Sequence, residues 1–130
     1  MAQSRRQQVG RWGEAVASRY LEKRGYQILA RNARTPYGEI DLVARQKDGC
    51  LVFVEVKTRT NSVFGLPEEA VDARKLKHMV AAAEAYWLAF LEQHPEIGDQ
   101  SWRIDVIAVQ GKPGTKVEDI QIEHFENVAS

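Results

Sequence analysis

The stretch GEIDLVAR, residues 38–45, followed closely by LVFVEVKTR, residues 51–59, decides how this chain reads. Both segments are runs of Val, Ile, Leu and Phe, and Lys47-Asp48-Gly49 between them has turn chemistry, so the pair predicts two strands joined as a β-hairpin. Charges interrupt both runs: Glu39 and Asp41 in the first, Glu55 and Lys57 in the second. Unpaired charge in an apolar strand is costly, so these positions need partners or a task. The side-chain period of two puts Glu55 and Lys57 on one face. Loop length settles whether Asp41 joins them. A two-residue Asp48-Gly49 turn opposes Asp41 to Val56 and sends Glu55 to the other face. A three-residue loop with Gly49 in a left-handed bulge position opposes Asp41 to Glu55 and Glu39 to Lys57, and this is the expected register.

Outward from the hairpin, helices and strands alternate. Before it, Val9, Trp12, Val16, Tyr20 and Leu21 recur at helical spacing over Gln8–Arg24, and Gly25 supplies a left-handed cap. A strand over residues 26–31 and a loop over 32–38 follow. After the hairpin, Pro67 with Glu68 and Glu69 predicts a helix start, and the apolar face from Val71 through Met79, Trp87 and Phe90 carries it to about residue 92. Trp102–Val109 reads as a fourth strand, parallel to the third across the helical crossover, and Val117–Glu123 as a short fifth. The expectation is a single α/β domain over residues 1–130 with an αβββαβ core. A mixed sheet is flanked by helices, with residues 1–8 as a basic tail and 124–130 as a loose C-terminus.

Composition excludes several classes. The one cysteine, Cys50, forms no internal disulfide and no CxxC spacing. His78, His94 and His124 lack zinc-ligand spacing and read as surface residues. The most apolar run, VAAAEAYWLAFL, is too short for a bilayer and holds Glu84, so a cytoplasmic protein away from membranes is expected. Net charge is zero, yet residues 1–34 carry eight Arg or Lys against two acids, while residues 92–130 carry three against eight. The basic end is suited to phosphate contacts if the fold sets it beside the hairpin carboxylates.

An acid-x-lysine tripeptide is weak by itself, since this composition predicts about one by chance. Its setting gives it weight: an apolar strand end, a second acid across a tight turn, and one shared face. Two readings stay open on the residues alone. One is a carboxylate patch that holds a hard cation and activates water; the other is a salt-bridged strand end in which Glu39, Asp41, Glu55 and Lys57 neutralise one another. The element order with an acid on the second strand and Glu-x-Lys on the third resembles the PD-(D/E)XK, restriction-endonuclease-like nuclease fold. More sharply, GRWGEAVASRYLEKRGYQILARNARTPYGEIDLVARQKDGCLVFVEVKTR, then FGLPEEAVDARK and RIDVIAV, resembles the YraN family of bacterial proteins, related to archaeal Holliday-junction resolvases.

The resemblance implies a Mg²⁺- or Mn²⁺-dependent endonuclease acting on DNA, including branched DNA such as Holliday junctions, with a homodimer as a further expectation. It implies that Glu14, Asp41 and Glu55 are metal ligands, with the Val56 carbonyl completing the shell. Lys57 then orients or deprotonates the attacking water and Glu39 supports Lys57. Arg11, Arg31, Arg34, Arg59 and Lys75 are the expected nucleic-acid contacts. Asp105, with no Glu-x-Lys after it, reads instead as a buried structural acid beside Arg103. Two other classes compete with the enzyme: a nucleic-acid-binding module without efficient catalysis, and a scaffold subunit using Tyr86, Trp87 and Phe90 as an interface.

Overall fold

The hairpin turn closes as the expected register requires. Gln46 N donates to Cys50 O at 2.9 Å, Gly49 N donates to Gln46 O at 2.9 Å, and the Asp48 carboxylate accepts from Cys50 N at 2.9 Å. Gly49 at φ 95° takes the left-handed position that side chains disfavour. Leu42↔Val54, Val43↔Phe53, Ala44↔Val52 and Arg45↔Leu51 follow in register, which puts Asp41 and Glu55 on the same face.

The computed structural model describes residues 3–60, 72–97 and 101–129. Its elements are α1 (Arg5–Lys23), β1 (Gln27–Thr35), β2 (Gly38–Arg45), β3 (Leu51–Arg59), α2 (Ala73–Gln93), β4 (Trp102–Gln110) and β5 (Gln121–Phe125). The strands form one sheet in the order β1-β2-β3-β4-β5. Only β3 and β4 pair in parallel; the other neighbours are antiparallel, so the sheet is mixed as expected.

Each helix covers one face. Ala17 and Leu21 of α1 pack on Leu42, Ala44, Val52, Val54, Ile107 and Val109. Ala82 and Ala83 of α2 pack on Val43, Leu51, Phe53 and Ile104, with Tyr86, Trp87 and Phe90 leaning on the same core, which is where those aromatics spend their apolar surface. A Cβ on Gly13 would overlap the Thr58 hydroxyl, so this glycine is what lets α1 approach β3 closely.

Several boundaries differ from the sequence reading for local reasons. The helix α1 starts at Arg5 because Ser4 and Gln7 form a reciprocal capping box, drawing in residues 5–8 that composition assigns to a tail. The expected 32–38 loop is mostly strand. A bulge between Ile28 and Ala30 lets β1 continue to Thr35, and Pro36 and Tyr37 alone make the turn, with Thr35 Oγ1 donating to Gly38 O at 2.7 Å. The helix α2 is capped by the Asp72 carboxylate, which accepts from Lys75 N; the expected start at Pro67 lies outside the described residues. Val117–Asp119 is a 3₁₀ turn, and the last strand begins only at Gln121. The C-terminal segment is anchored rather than loose: His124 and Phe125 belong to β5, and Val128 N donates to Ile104 O at 2.8 Å. Among the described residues no helix is long and apolar enough to cross a membrane.

Candidate active site

The carboxylates meet where two strands part. After Leu42↔Val54, β2 leaves β3 and continues only with β1. The next hydrogen-bonded pair, Ile40 with Val56, is missing, and the Asp41 side chain substitutes for it: Oδ2 accepts from Val56 N at 2.8 Å. A strand residue's N–H and C=O face the same edge, so the Val56 carbonyl also points into this gap. The Asp41 carboxylate lies close enough to Glu55 for the two acids to interact directly. Lys57 Nζ lies 3.3 Å and Lys75 Nζ 2.7 Å from Glu55 Oε1. The site is therefore built from β2, β3 and the first turn of α2, with α1 supplying Glu14 from the other side.

Its electrostatics are unbalanced. Burial pushes the Asp41 carboxyl up to about 7, and the charges of Glu55 and Glu14 add to the rise against the Val56 N–H, which works the other way. Glu14 is also raised, first by burial and then by Glu39 and Glu55, although a hydrogen bond with Asn32 and the charge of Arg11 oppose the change. Burial, with Lys75 beside it, lowers Lys57 below the ordinary lysine range. Burial pulls Lys75 down too, but its contact with Glu55 outweighs this and raises it. Three acids thus share a half-buried patch, and both lysines serve Glu55 while Asp41 has no cation in contact among the described residues.

The expected site residues fare differently. Asp41, Glu55, Lys57 and the Val56 backbone converge, and Glu14 is near enough to feel Glu55. Among the described residues, however, Glu14, Asp41 and Glu55 are not gathered with all their ligand atoms within 4.8 Å of one another; only Asp105, His124 and Glu126 are. Glu39 does not sit beside Lys57. Because β2 has turned away with β1, Glu39 is exposed opposite Arg34, and Lys57 pairs with Glu55 instead. Lys75, expected on phosphate, holds Glu55. Arg11 is exposed beside Glu14, and Arg31 is tied to Ser18 Oγ at 3.0 Å. The Arg59 Nε is buried with no hydrogen-bond partner among the described residues. Asn32 is the residue the sequence reading missed: at φ 51° in β1 it reaches Glu14, and the tolerance of asparagine for left-handed backbone is the signal that marks it.

The tight acid–histidine group elsewhere is already satisfied. Asp105 accepts from Arg103 Nε at 2.9 Å and Asn127 N at 2.9 Å, and His124 Nε2 lies 2.7 Å away. Arg103 also bonds Tyr26, Gln46 and Glu126. Arg103 thus already neutralises two of the three acid and histidine groups here, Asp105 and Glu126, so this cluster fits a structural role, as expected for Asp105. The expectation of a surface His124 is corrected: its side chain is only 9% exposed, because β5 turns it inward onto Asp105 and Tyr20.

The family model described as "Uncharacterised protein family UPF0102" matches residues 13–109, a span that contains Glu14, Asp41, Glu55, Lys57 and Lys75. The chain belongs to this family. It is 43% identical over 121 residues to a UPF0102 protein of Roseiflexus castenholzii, covering 93% of this chain and 92% of the relative. A UPF0102 protein of Syntrophomonas wolfei is 45% identical over 120 residues, covering 92% and 96%. The YraN resemblance drawn from the motifs is to this same UPF0102 family. Among solved structures, a repair endonuclease from Pyrococcus abyssi aligns at TM-score 0.45 and 18% identity, over 78% of this chain but only 38% of that one. The EndoMS–dsDNA2 complex aligns at TM-score 0.37 and 20% identity, over 74% and 34%. At such scores the chemistry of UPF0102 has to be argued from the site itself.

Proposed function

We propose that this protein is a metal-dependent nuclease that hydrolyses phosphodiester bonds in DNA, with branched DNA among its substrates. The observation that carries the reading is Asp41: a strand acid pressed against Glu55, its carboxyl raised to about 7, with both neighbouring lysines committed to Glu55. A patch serving only as a neutral salt bridge would spread its cations over both acids. This one instead has room for one more positive charge.

The donor set fits a hard divalent cation, Mg²⁺ or Mn²⁺: Asp41 and Glu55 carboxylates, the Val56 carbonyl, and Glu14 once it leaves Asn32. Such an ion, when bound, polarises the phosphate and lowers the pKa of a bound water. The chain's own residues do the rest. Asp41, fixed by the Val56 N–H, sets the position of the carboxylate pair. Lys57, 3.3 Å from Glu55, lies within reach of a water there and is the group we assign to orient that water by donating to it, the water's proton passing to solvent. Lys75 offers positive charge to the phosphate from the α2 side.

The Lys75–Glu55 contact at 2.7 Å favours a second reading, a binding module with a salt-bridged strand end. Wild type and Glu55→Gln incubated with labelled four-way junction, flap, duplex and single-stranded DNA, each with Mg²⁺, Mn²⁺ or EDTA, separate the two. Cleavage by wild type with metal alone, lost by 10³-fold or more in Glu55→Gln while binding persists, is the expected result. Binding without cleavage by either protein replaces the nuclease with the binding module.

A further inference from the structure

The Asp41–Glu55 pair lies at the junction of two clefts on opposite sides of the sheet end. On the α2 side, a cleft of about 500 Å³ includes Tyr37, Asp41, Glu55, Lys75 and His78 in its lining. On the α1 side, a cleft of about 700 Å³ starts from the same Asp41 and Glu55 and runs along Thr58 and Thr60 beneath Arg5 and Arg6. A third cleft, of about 540 Å³, shares Arg5 and Thr60 with the second and extends it to Gln8 and Lys112. The three form one path that crosses the carboxylates, with basic and hydroxyl groups along one arm.

The two arms differ in chemistry. Arg5, Arg6 and Lys112 are exposed, and none has a carboxylate partner among the described residues, so their charge is available to the path. Arg31, tied to Ser18, and Arg34, opposite Glu39, lie off it. On the other arm the exceptional residue is Tyr37. It is 59% exposed at the tip of the β1–β2 turn, yet its backbone is fixed: Tyr37 N donates to Thr35 Oγ1 at 3.1 Å, and that hydroxyl donates to Gly38 O. An exposed ring on a fixed backbone is a stacking surface for a base not already stacked in a duplex.

We infer that a single, unpaired nucleic-acid strand crosses the sheet end along this path. Its backbone phosphates are held by Arg5, Arg6 and Lys112 on the α1 side, and a base stacks on Tyr37 on the α2 side. The inference rests on the proposed nuclease reading and sharpens its substrate: the strand at the carboxylates is single-stranded, as at a junction, a flap or a gap.

The test is fluorescence anisotropy of the full chain in EDTA with a labelled single strand and the matching blunt duplex, across a salt series. Each phosphate contact on a single strand contributes about 0.7 to the slope of log K against log salt. Changing Arg5, Arg6 and Lys112 together to Gln is expected to lower that slope by about 2 and weaken binding about tenfold or more. A control with Arg19, Lys23 and Lys116 changed to Gln, the same loss of charge elsewhere, stays near wild type. Tyr37→Ala is expected to weaken single-strand binding about tenfold with little effect on duplex, and Tyr37→Phe to restore it. Equal losses in the control set overturn the path, as does a Tyr37→Ala effect that is absent or the same on duplex. Should wild type bind neither strand nor duplex, the path falls, while the nuclease reading stands or falls separately on cleavage with Mg²⁺ or Mn²⁺. Strong wild-type binding that ignores these changes removes the path alone.

Discussion

Asp41 and Asp105 begin from the same sequence setting, one acid inserted in an apolar strand, and end in opposite states. Asp105 is fully buried, and burial alone would raise its pKa. His124, Arg103 and the Asn127 N–H overcome that cost and hold its carboxyl below the ordinary range. Asp41 is less deeply placed but receives one backbone N–H and two carboxylate neighbours, and its carboxyl is raised to about 7. The difference lies in the second coordination of each acid. Asp105 is enclosed by donors from β4, β5 and the C-terminal segment, all inside the protein. Asp41 sits where β2 parts from β3, facing groups of its own charge. A satisfied buried acid reads as structure, whereas one left short of positive charge reads as a binding position.

The largest effect expected from breaking the comparison is on the satisfied side. In Asp105→Asn, Arg103 loses the carboxylate to which it is doubly bonded, at 2.9 and 3.2 Å, while its side chain stays only 17% exposed. Removing one partner of such a pair costs about 3–5 kcal/mol. Urea unfolding at pH 7 should show this loss of stability. The sign with pH follows from a lowered folded pKa: the wild-type advantage is complete above the ordinary aspartate value of 3.8 and disappears as pH falls through the lower folded value. A variant with unchanged stability at pH 7 would remove the structural reading of this cluster and reopen Asp105, His124 and Glu126 as a ligand set.

How much of this contrast was legible in the sequence depends on the range of the interaction. The hairpin register followed from Gly49 and the length of its turn, both local, and it placed Asp41 with Glu55 correctly. Asp105 beside Arg103 was legible because the two are neighbours on one strand. The inward turn of His124 was not, since it depends on β5 pairing with β4, a contact set by the sheet and invisible in the composition of the tail. The place of Glu39, opposite Arg34, is illegible for a related reason. The hairpin register ends at Leu42, where β2 loses β3 while keeping β1, and no residue pattern announces that split. The contact of Lys75 with Glu55 joins a helix to a strand across residues 61–71, so helical periodicity gave no hint of it. Glu14 enters through the family resemblance alone, because a half-exposed glutamate on α1 looks like any other until Gly13 lets the helix approach β3 and the charge of Glu55 reaches it.

On the unsatisfied side, substitution should help rather than harm. Asp41→Asn keeps an oxygen for the Val56 N–H and removes the need to ionise beside Glu55. Wild type binds this proton more tightly when folded than when unfolded. Its stability therefore falls as pH rises from the ordinary 3.8 toward the folded value of about 7, and the penalty is full above that. In EDTA at pH 8 the variant should be more stable by about 2 kcal/mol, a gain that fades on acidification to pH 4. Thermal melts at both pH values measure it. Mg²⁺ should reverse the order, stabilising wild type by about 2.7 kcal/mol at a hundredfold excess over its dissociation constant and leaving the variant nearly unmoved. Destabilisation of Asp41→Asn at pH 8 would place Asp41 in the same class as Asp105.

The smallest effect is also the most specific. Lys75 is the only cation that reaches the carboxylates from α2 among the described residues, and its side chain is 39% exposed. Solvent screening limits what such a pair adds to folding, so Lys75→Met should change stability by less than about 1 kcal/mol. Its consequence should appear in metal affinity. The Nζ atom lies 2.7 Å from the Glu55 oxygen that a divalent ion would also need, so the ammonium and the ion compete for one acceptor. Calorimetric titration with Mg²⁺ should show binding tightened a fewfold in Lys75→Met, and by distinctly less in Lys77→Met, which removes an exposed charge from the same helix without touching Glu55. Weaker Mg²⁺ binding in Lys75→Met would mean that the lysine helps to build the carboxylate pocket instead of holding it closed. The charge deficit at Asp41 would then belong to the architecture of the sheet end as a whole, and the contrast with Asp105 would become one of degree.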